Sequence, residues 1–163
     1  WLIALVLISL FSAGIIAIYE ETLQTVIVLA IFIPLLLGSG GNAGAQASTL
    51  MVRAIATSDV HIDEWLEVFL KELIVGLLLG LLMGIIGLIF GSLRGGYEIG
   101  LIVGLTMLTV VLAANLIGVM LPFLLTKMGL DPAVASNPLI TSITDVLGLL
   151  IYFAIAAMVL GGL

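Results

Sequence analysis

Long apolar runs dominate this chain and decide what it can fold into. Five of them are long enough to cross the hydrocarbon layer of a membrane as helices: roughly residues 1–18, 23–52, 66–90, 99–125 and 133–161. Such a crossing takes about 17–25 residues. The chain is 63% hydrophobic and 9% charged, whereas soluble domains are about 45–50% apolar and about 25% charged. The sequence therefore predicts an all-α integral membrane protein with five transmembrane helices.

The composition also excludes several kinds of site and partner. The chain has no cysteine, so it can form neither a disulfide nor a thiolate metal site. Its one histidine, His61, cannot build a multi-histidine zinc or haem centre. The net charge of −6 argues against binding to nucleic acid. The first run, residues 1–18, is long enough to span, so we interpret it as a membrane helix rather than a signal peptide.

The few basic residues predict how the chain is oriented in the bilayer. Two loops carry three of the basic residues: Arg53 and Lys71 flank the loop 53–67, and Lys127 lies in the loop 126–132. If five helices alternate in direction, these two loops lie on the same side of the membrane. Arg94 lies on the other side, near Glu98. Cytoplasmic loops carry the excess of lysine and arginine. We therefore expect a multi-pass protein of the plasma membrane, with its N-terminus in the cytoplasm and its C-terminus outside.

The last run contains an acidic residue where a membrane helix can least accommodate one. An aspartate at the centre of a membrane helix costs about 2.5–3.5 kcal/mol, and ionisable groups in such helices usually have a function. Asp145 would share one helix face with other small or polar residues: Asn137, Thr141, Thr144, Gly148 and Tyr152. We interpret this face as a pore lining. The alternative is a polar seam between helices, with Asp145 protonated or bonded to a hydroxyl.

The second run is unusual in being rich in glycine and amide residues after Pro34. These glycines permit an irregular backbone or a close approach between backbones. If the helix continues, Asn42, Gln46, Thr49 and Arg53 share one face. Amide and carbonyl oxygens suit a hydrated hard cation. We favour a pore lining over a small-residue packing interface, because polar backbone within a membrane is tolerated where it meets protein or water.

The third run carries a ridge of glycines at spacings of three and four residues: Gly76, Gly80, Gly84, Gly87 and Gly91. Small residues at this spacing let two helix backbones approach closely. We therefore predict that this ridge is a packing surface for another helix of the bundle.

The second and fifth runs together offer oxygen ligands and one carboxylate per chain. Mg²⁺ prefers octahedral oxygen coordination and loses its water reluctantly, so it suits such donors. One aspartate alone would bind weakly, whereas two copies around a two-fold axis would place two carboxylates at one ion. The sequence therefore predicts a homodimer with Mg²⁺ at Asp145. Mn²⁺, Co²⁺ and Ni²⁺ are further candidate ions for the same oxygen donors.

Several motifs, taken together and in order, resemble the MgtE family of magnesium channels and their eukaryotic relatives. They are Gly-Gly-Asn-Ala-Gly-Ala-Gln at 40–46, Phe-Leu-Lys-Glu at 69–72, residues 114–123 with Asn115 and Pro122, Asp-Pro-Ala at 131–133, Ser-Asn-Pro-Leu at 136–139, and Asp145 followed by residues 148–152. The similarity covers essentially the whole chain.

The resemblance implies a single transmembrane domain over residues 1–163 that forms a homodimer, with the pore on the two-fold axis between the second and fifth helices. It implies that Asp145 binds hydrated Mg²⁺, that Asn137 lies near the cytoplasmic entrance, and that Asn42 belongs to the signature segment. Family members also carry a cytoplasmic N-terminal domain and paired CBS domains. This sequence contains neither, so regulation by those domains is not carried over.

We therefore predict a Mg²⁺-permeable channel domain in the lipid bilayer rather than an enzyme. Asp145 would bind the ion through its water shell, with pore-lining oxygens from Asn137, Thr141, Asn42 and Gln46. The alternative is a Na⁺- or H⁺-coupled exchanger, which needs a second ion gradient. An intramembrane aspartyl protease needs two neighbouring aspartates, and within one chain only Asp145 is buried in a span. A structural membrane subunit would show ion flux independent of Asp145.

Overall fold

The structure is a computed structural model that describes residues 2–134 and 137–161. Within those ranges the chain is helical and contains no strand, which confirms the predicted all-α fold. The elements in order are α1 (Leu2–Ile18), α2 (Glu20–Thr25), α3 (Val28–Ala56), a 3-10 turn (Ile62–Glu64), α4 (Trp65–Lys127), a second 3-10 turn (Pro132–Val134) and α5 (Asn137–Val159).

Three helical segments are long and apolar enough to cross a membrane: α3, the stretch Ile62–Lys127, and α5. The helix α1 is also apolar but has 17 residues. At about 1.5 Å per residue, the 63 residues of α4 would far exceed the roughly 30 Å of a hydrocarbon layer if they formed one straight rod. A break within α4 resolves this excess of length.

The break lies at Gly96, where φ is 83° and ψ is 179°. Residues with a Cβ rarely adopt such a positive φ, so glycine is the residue that permits the turn. We call residues 65–95 the first arm of α4 and residues 97–127 its second arm. The chain reverses direction between them.

The glycine ridge of the first arm packs against the second arm. A Cβ added at Gly80 would lie 2.6 Å from the carbonyl oxygen of Leu108, and one at Gly84 would lie 2.9 Å from that of Gly104. Nearer the turn, a Cβ at Gly91 would lie 2.8 Å from the Cα of Gly100. Only hydrogen fits at these positions. The prediction that the ridge is a packing surface is confirmed, and its partner is the next segment of the same chain.

The observed helices differ from the predicted runs at several ends. The predicted second run, residues 23–52, contains a break, because α2 ends at Thr25 and α3 begins at Val28. Val26 has non-helical dihedral angles (φ −126°, ψ 71°). It lies in a row of four β-branched residues, Thr25 to Val28, which lose side-chain freedom in a helix. Their restricted side chains explain why hydropathy alone missed this interruption.

The fifth run begins later than predicted. Its helix starts at Asn137 rather than at residue 133, and residues 132–134 form a 3-10 turn. Pro138 therefore lies in the first turn of α5, where a missing N–H costs no helical hydrogen bond. Parts of two predicted runs, Trp1 and residues 135 and 136, lie outside the described residues.

The main apolar core joins α3, α5 and the second arm of α4. Its largest fully buried side chains include Leu29, Leu36, Ile102, Met107 and Tyr152. The helix α1 contacts α5, and after it Tyr19 stacks on Phe153 with 4.3 Å between the ring centroids. This arrangement fixes α3 and α5 side by side, and the candidate site lies on these two helices.

Candidate functional site

Asp145 lies near the middle of α5 and is half-buried. Its Oδ1 atom is buried and has no hydrogen-bond partner in the described part of the chain. Leaving a buried polar atom unsatisfied costs free energy, about 1–3 kcal/mol and more for a charged group. Of the two forms of the polar-seam alternative, a bond to a hydroxyl and a protonated carboxyl, the structure shows no hydroxyl among the described residues bonded to this oxygen.

The residues predicted to share a face with Asp145 fall into two groups. Thr144 and Tyr152 are only 2% and 1% exposed, and Gly148 is also buried. The Tyr152 hydroxyl donates to the carbonyl oxygen of Leu29 at 2.9 Å and so ties α5 to α3. The prediction of a pore lining is wrong for these three residues. Helical spacing identifies which residues share a face, but it does not tell whether another helix covers that face.

The other group remains accessible in the single chain. Asn137 is exposed, and Thr141 and Asp145 are partly exposed. Going from Thr144 to Asp145 turns the side chain by roughly 100° around the helix axis. Asp145 therefore lies at the edge of the buried face. An edge position explains how one carboxylate oxygen can be buried while the residue as a whole stays partly accessible.

The helix α3 continues through Pro34 and the glycine-rich segment without interruption. Its buried glycines allow close approach to neighbouring helices. A Cβ at Gly40 would lie 2.6 Å from Val110, and one at Gly44 would lie 2.8 Å from Ile140. A Cβ at Gly118 would meet the carbonyl oxygen of Gly44. This face of α3 is a packing interface of small residues, as the alternative interpretation of the segment predicts.

A neighbouring face of α3 carries the amides and is open. Its exposed residues follow one another at intervals of three or four positions, about one helical turn: Gly38, Asn42, Gln46 and Thr49. Packing therefore accounts for one face of this helix, and the prediction of a pore lining concerns the other face. An amide exposed on a membrane helix normally faces protein or water rather than hydrocarbon, because burying it without a hydrogen bond is costly.

The open faces of α3 and α5 meet along one seam. The Thr49 hydroxyl has two acceptors within hydrogen-bond distance, the Asn137 side-chain oxygen at 3.1 Å and the Ala45 carbonyl oxygen at 2.8 Å. A Cβ at Gly41 would lie 3.1 Å from the Cγ2 atom of Thr141. Asn42 follows Gly41 directly, so it lies beside this seam. Thr49 is a further site residue that the sequence placed on the face of Asn42, although its bond to Asn137 could not be foreseen.

A second acidic residue within the helices already has a partner. Asn115, on the second arm of α4, donates from Nδ2 to the Glu72 carboxylate at 3.0 Å and to its carbonyl oxygen at 3.1 Å. Lys71, next to Glu72, pairs with Glu67 instead, at 2.8 Å. The contact between Glu72 and Asn115 joins residues 43 positions apart in the sequence, and no local pattern signals it. Glu72 is thus held within the chain, in contrast to the buried oxygen of Asp145.

One copy of the chain does not assemble a conventional metal centre. Across residues 2–134 and 137–161, no group of three or more His, Cys, Asp or Glu side chains is placed to hold a metal ion. Asp145 therefore contributes a single carboxylate. A divalent cation there would need to keep most of its water or find a second carboxylate on another molecule.

A family model and three related proteins match most of the sequence. The model is described as "MgtE: Divalent cation transporter" and matches residues 33–155. The magnesium transporter MgtE of Thermus thermophilus is 44% identical over 160 residues, which is 98% of this chain and 36% of that protein. The proteins of the same name from Enterococcus faecalis and Bacillus subtilis are 37% and 32% identical, over 97% and 96% of this chain. The chain spans about a third of the length of each relative.

Proposed function

This chain belongs to the MgtE family of divalent cation transporters, and on that premise we propose that two copies of it form a Mg²⁺ channel in the plasma membrane. The three relatives are named magnesium transporters. In the proposal, hydrated Mg²⁺ moves down its electrochemical gradient through a pore on the two-fold axis. The observation that carries the proposal is the buried and unpartnered carboxylate oxygen of Asp145.

Five membrane crossings per chain are supported by the lengths of the helical segments. The two arms of α4, one on each side of Gly96, have about 31 residues each. At about 1.5 Å per residue, an arm of this length spans more than the roughly 30 Å of the hydrocarbon layer. With α1, α3 and α5, the two arms make five crossings. An odd number of crossings places the two termini on opposite sides, with the N-terminus in the cytoplasm.

The open polar faces of α3 and α5 support a pore between two copies. Asn42, Gln46 and Asn137 are exposed in the single chain. Facing lipid would leave the amides of Asn42 and Gln46 without hydrogen bonds and would satisfy that of Asn137 only through its bond with Thr49. A second copy related by a two-fold axis would enclose these faces in a shared, water-filled path. The same symmetry would bring the two Asp145 carboxylates to face each other.

The side chains act on a hydrated ion. Mg²⁺ demands octahedral geometry and loses its water reluctantly, and one chain supplies one carboxylate to the site. Asp145 therefore attracts the ion by charge and accepts hydrogen bonds from its water shell. Thr141, Asn137, Asn42 and Gln46 offer neutral oxygens to the same water along the path. Neutral ligands of this kind guide the ion without holding it so tightly that conduction stops.

Uptake into liposomes tests whether this path is a channel. The purified chain is reconstituted with an imposed membrane potential, negative inside, and with no Na⁺ or pH gradient. We expect Mg²⁺ uptake that rises with the potential, because each elementary charge that crosses the membrane gains about 2.3 kcal/mol per 100 mV. Uptake is followed with a Mg²⁺-sensitive dye inside the liposomes. Uptake that begins only when a Na⁺ or pH gradient is added would replace the channel with a coupled exchanger.

A further inference from the structure

A groove of about 460 Å³ opens on the surface near the two ends of the α4 hairpin. It is lined by Ile62, Trp65, Ile117, Met120, Leu121, Phe123, Leu124 and Lys127. Trp65 begins the first arm and Lys127 ends the second arm. The groove therefore lies at one end of the hairpin. Its lining is apolar apart from the Lys127 ammonium and the indole N–H of Trp65.

The length of the groove matches one leaflet of a bilayer. From Lys127 to Ile117 the second arm rises by roughly 15 Å, at about 1.5 Å per residue. The hydrocarbon layer is about 30 Å thick in total. With Lys127 at the polar boundary, the apolar lining reaches about the middle of the membrane. This is also the depth that an acyl chain of one lipid covers within its own leaflet.

The charge at the rim of the groove selects for an anion. Lys127 is exposed, and it makes no salt bridge within the described part of the chain, whereas Lys71 pairs with Glu67 at 2.8 Å. No acidic side chain lines the groove. A lysine beside the end of a membrane helix attracts anionic headgroups. Trp65 is of the residue type that concentrates at headgroup level.

We propose that this groove binds an anionic phospholipid. The phosphate lies against the Lys127 ammonium, and an acyl chain runs along Leu124, Met120 and Ile117. The groove residues come from α4 and the preceding turn, and none of them belongs to the proposed pore faces of α3 and α5. The lipid site is therefore separate from the ion path and does not depend on the proposed channel function.

Native mass spectrometry of the purified full chain tests this site. The chain is titrated with palmitoyl-oleoyl phosphatidylglycerol and, separately, with the phosphatidylcholine of the same acyl chains. We expect the anionic lipid to bind about fivefold more tightly, because one basic residue near the surface contributes about 1 kcal/mol. K127Q should lose this preference. K71Q is the matched control and should keep it, because Lys71 is already paired with Glu67.

Two further arms separate a lipid site from other occupants. L124W changes a residue that is 54% exposed, so it partly fills the groove without entering the core, and it should weaken binding of both lipids. Soluble glycerol phosphate should not compete, since it has no acyl chain. The proposal fails if K127Q keeps the full preference, if glycerol phosphate displaces the lipid, or if L124W leaves lipid binding intact. Separation of the copies of the chain by L124W, with lipid binding intact, would identify the groove as an interface between copies.

Discussion

Replacing Asp145 with alanine should lower Mg²⁺ uptake into liposomes by roughly 10- to 100-fold, because a hydrogen bond to a charged group contributes about 1.5–3 kcal/mol. Asp145 supplies the one carboxylate oxygen that is buried and unpartnered among the described residues. Without it, the hydrated ion has no negative charge to offset the cost of entering the membrane. The measurement is potential-driven uptake into liposomes that contain equal amounts of wild-type or variant protein.

The matched control for this loss is E72Q. Glu72 is the other partly buried carboxylate within the helices, but Asn115 holds it inside the chain at 3.0 Å. Removing its charge should therefore leave uptake close to the wild-type level. Both variants should elute from size-exclusion chromatography at the wild-type position. Wild-type uptake by D145A, or an equal loss in both variants, would contradict a specific role for Asp145.

The second large effect is on stability. Gly80→Ala should lower the free energy of unfolding by about 1–3 kcal/mol, because overpacking forces the surrounding backbone to move. The added Cβ would lie 2.6 Å from the carbonyl oxygen of Leu108, and a backbone atom cannot move aside as a side chain can. The two arms of α4 must then separate. The measurement is the midpoint of thermal unfolding in detergent.

Gly14→Ala is the control for the helix propensity of alanine. Gly14 lies within α1, and a Cβ there would meet nothing within 4 Å. Alanine is favoured over glycine in a helix by about 0.8–1.0 kcal/mol, so this variant should be as stable as the wild type or slightly more stable. If both substitutions shift the unfolding midpoint equally, the close contact between the arms of α4 is not what makes Gly80 necessary.

Much of the fold could be predicted from the sequence because hydropathy and length constrain membrane helices so strongly. The runs near 66–90 and 99–125 correspond to the two arms of α4, and the glycine ridge between residues 76 and 91 packs as its spacing predicted. The break at Val26 was missed because β-branched residues there are as hydrophobic as a continuing helix would be. Hydropathy measures how favourably the side chains of a segment are buried in an apolar environment. It contains no information on the backbone conformation that the same residues prefer.

The candidate site could be predicted only in part. Asp145 and Asn42 stand out in the sequence because a charge and an amide are conspicuous among apolar residues. The burial of Tyr152 could not be foreseen, since its hydroxyl bonds to Leu29, 123 positions away. The bond between Thr49 and Asn137 likewise depends on how α3 and α5 pack. Contacts of this kind follow from the tertiary arrangement, which residue spacing along one helix does not determine.

The central claim is that the Asp145 side chains of two copies face each other across the pore, and crosslinking of single cysteines tests it most directly. The 163 residues contain no cysteine, so each variant of them carries one thiol. A hydrated Mg²⁺ would separate the two carboxylates by roughly 10 Å, from an Mg–O distance of about 2.1 Å and a hydrogen bond of about 2.7 Å on either side. A bifunctional thiol reagent of that length should therefore join two copies of D145C.

The control position is Leu150, on the same helix, 47% exposed in the single chain and turned roughly 140° away from Asp145 around the helix axis. Because Leu150 is accessible, a low yield of crosslinked dimer with L150C would mean that this position faces away from the partner copy, not that the thiol is buried. The proposal predicts a crosslinked dimer for D145C and mostly single chains for L150C, with both variants in liposomes at low protein density. Equal yields at the two positions, or a dimer with L150C alone, would contradict a pore on the two-fold axis.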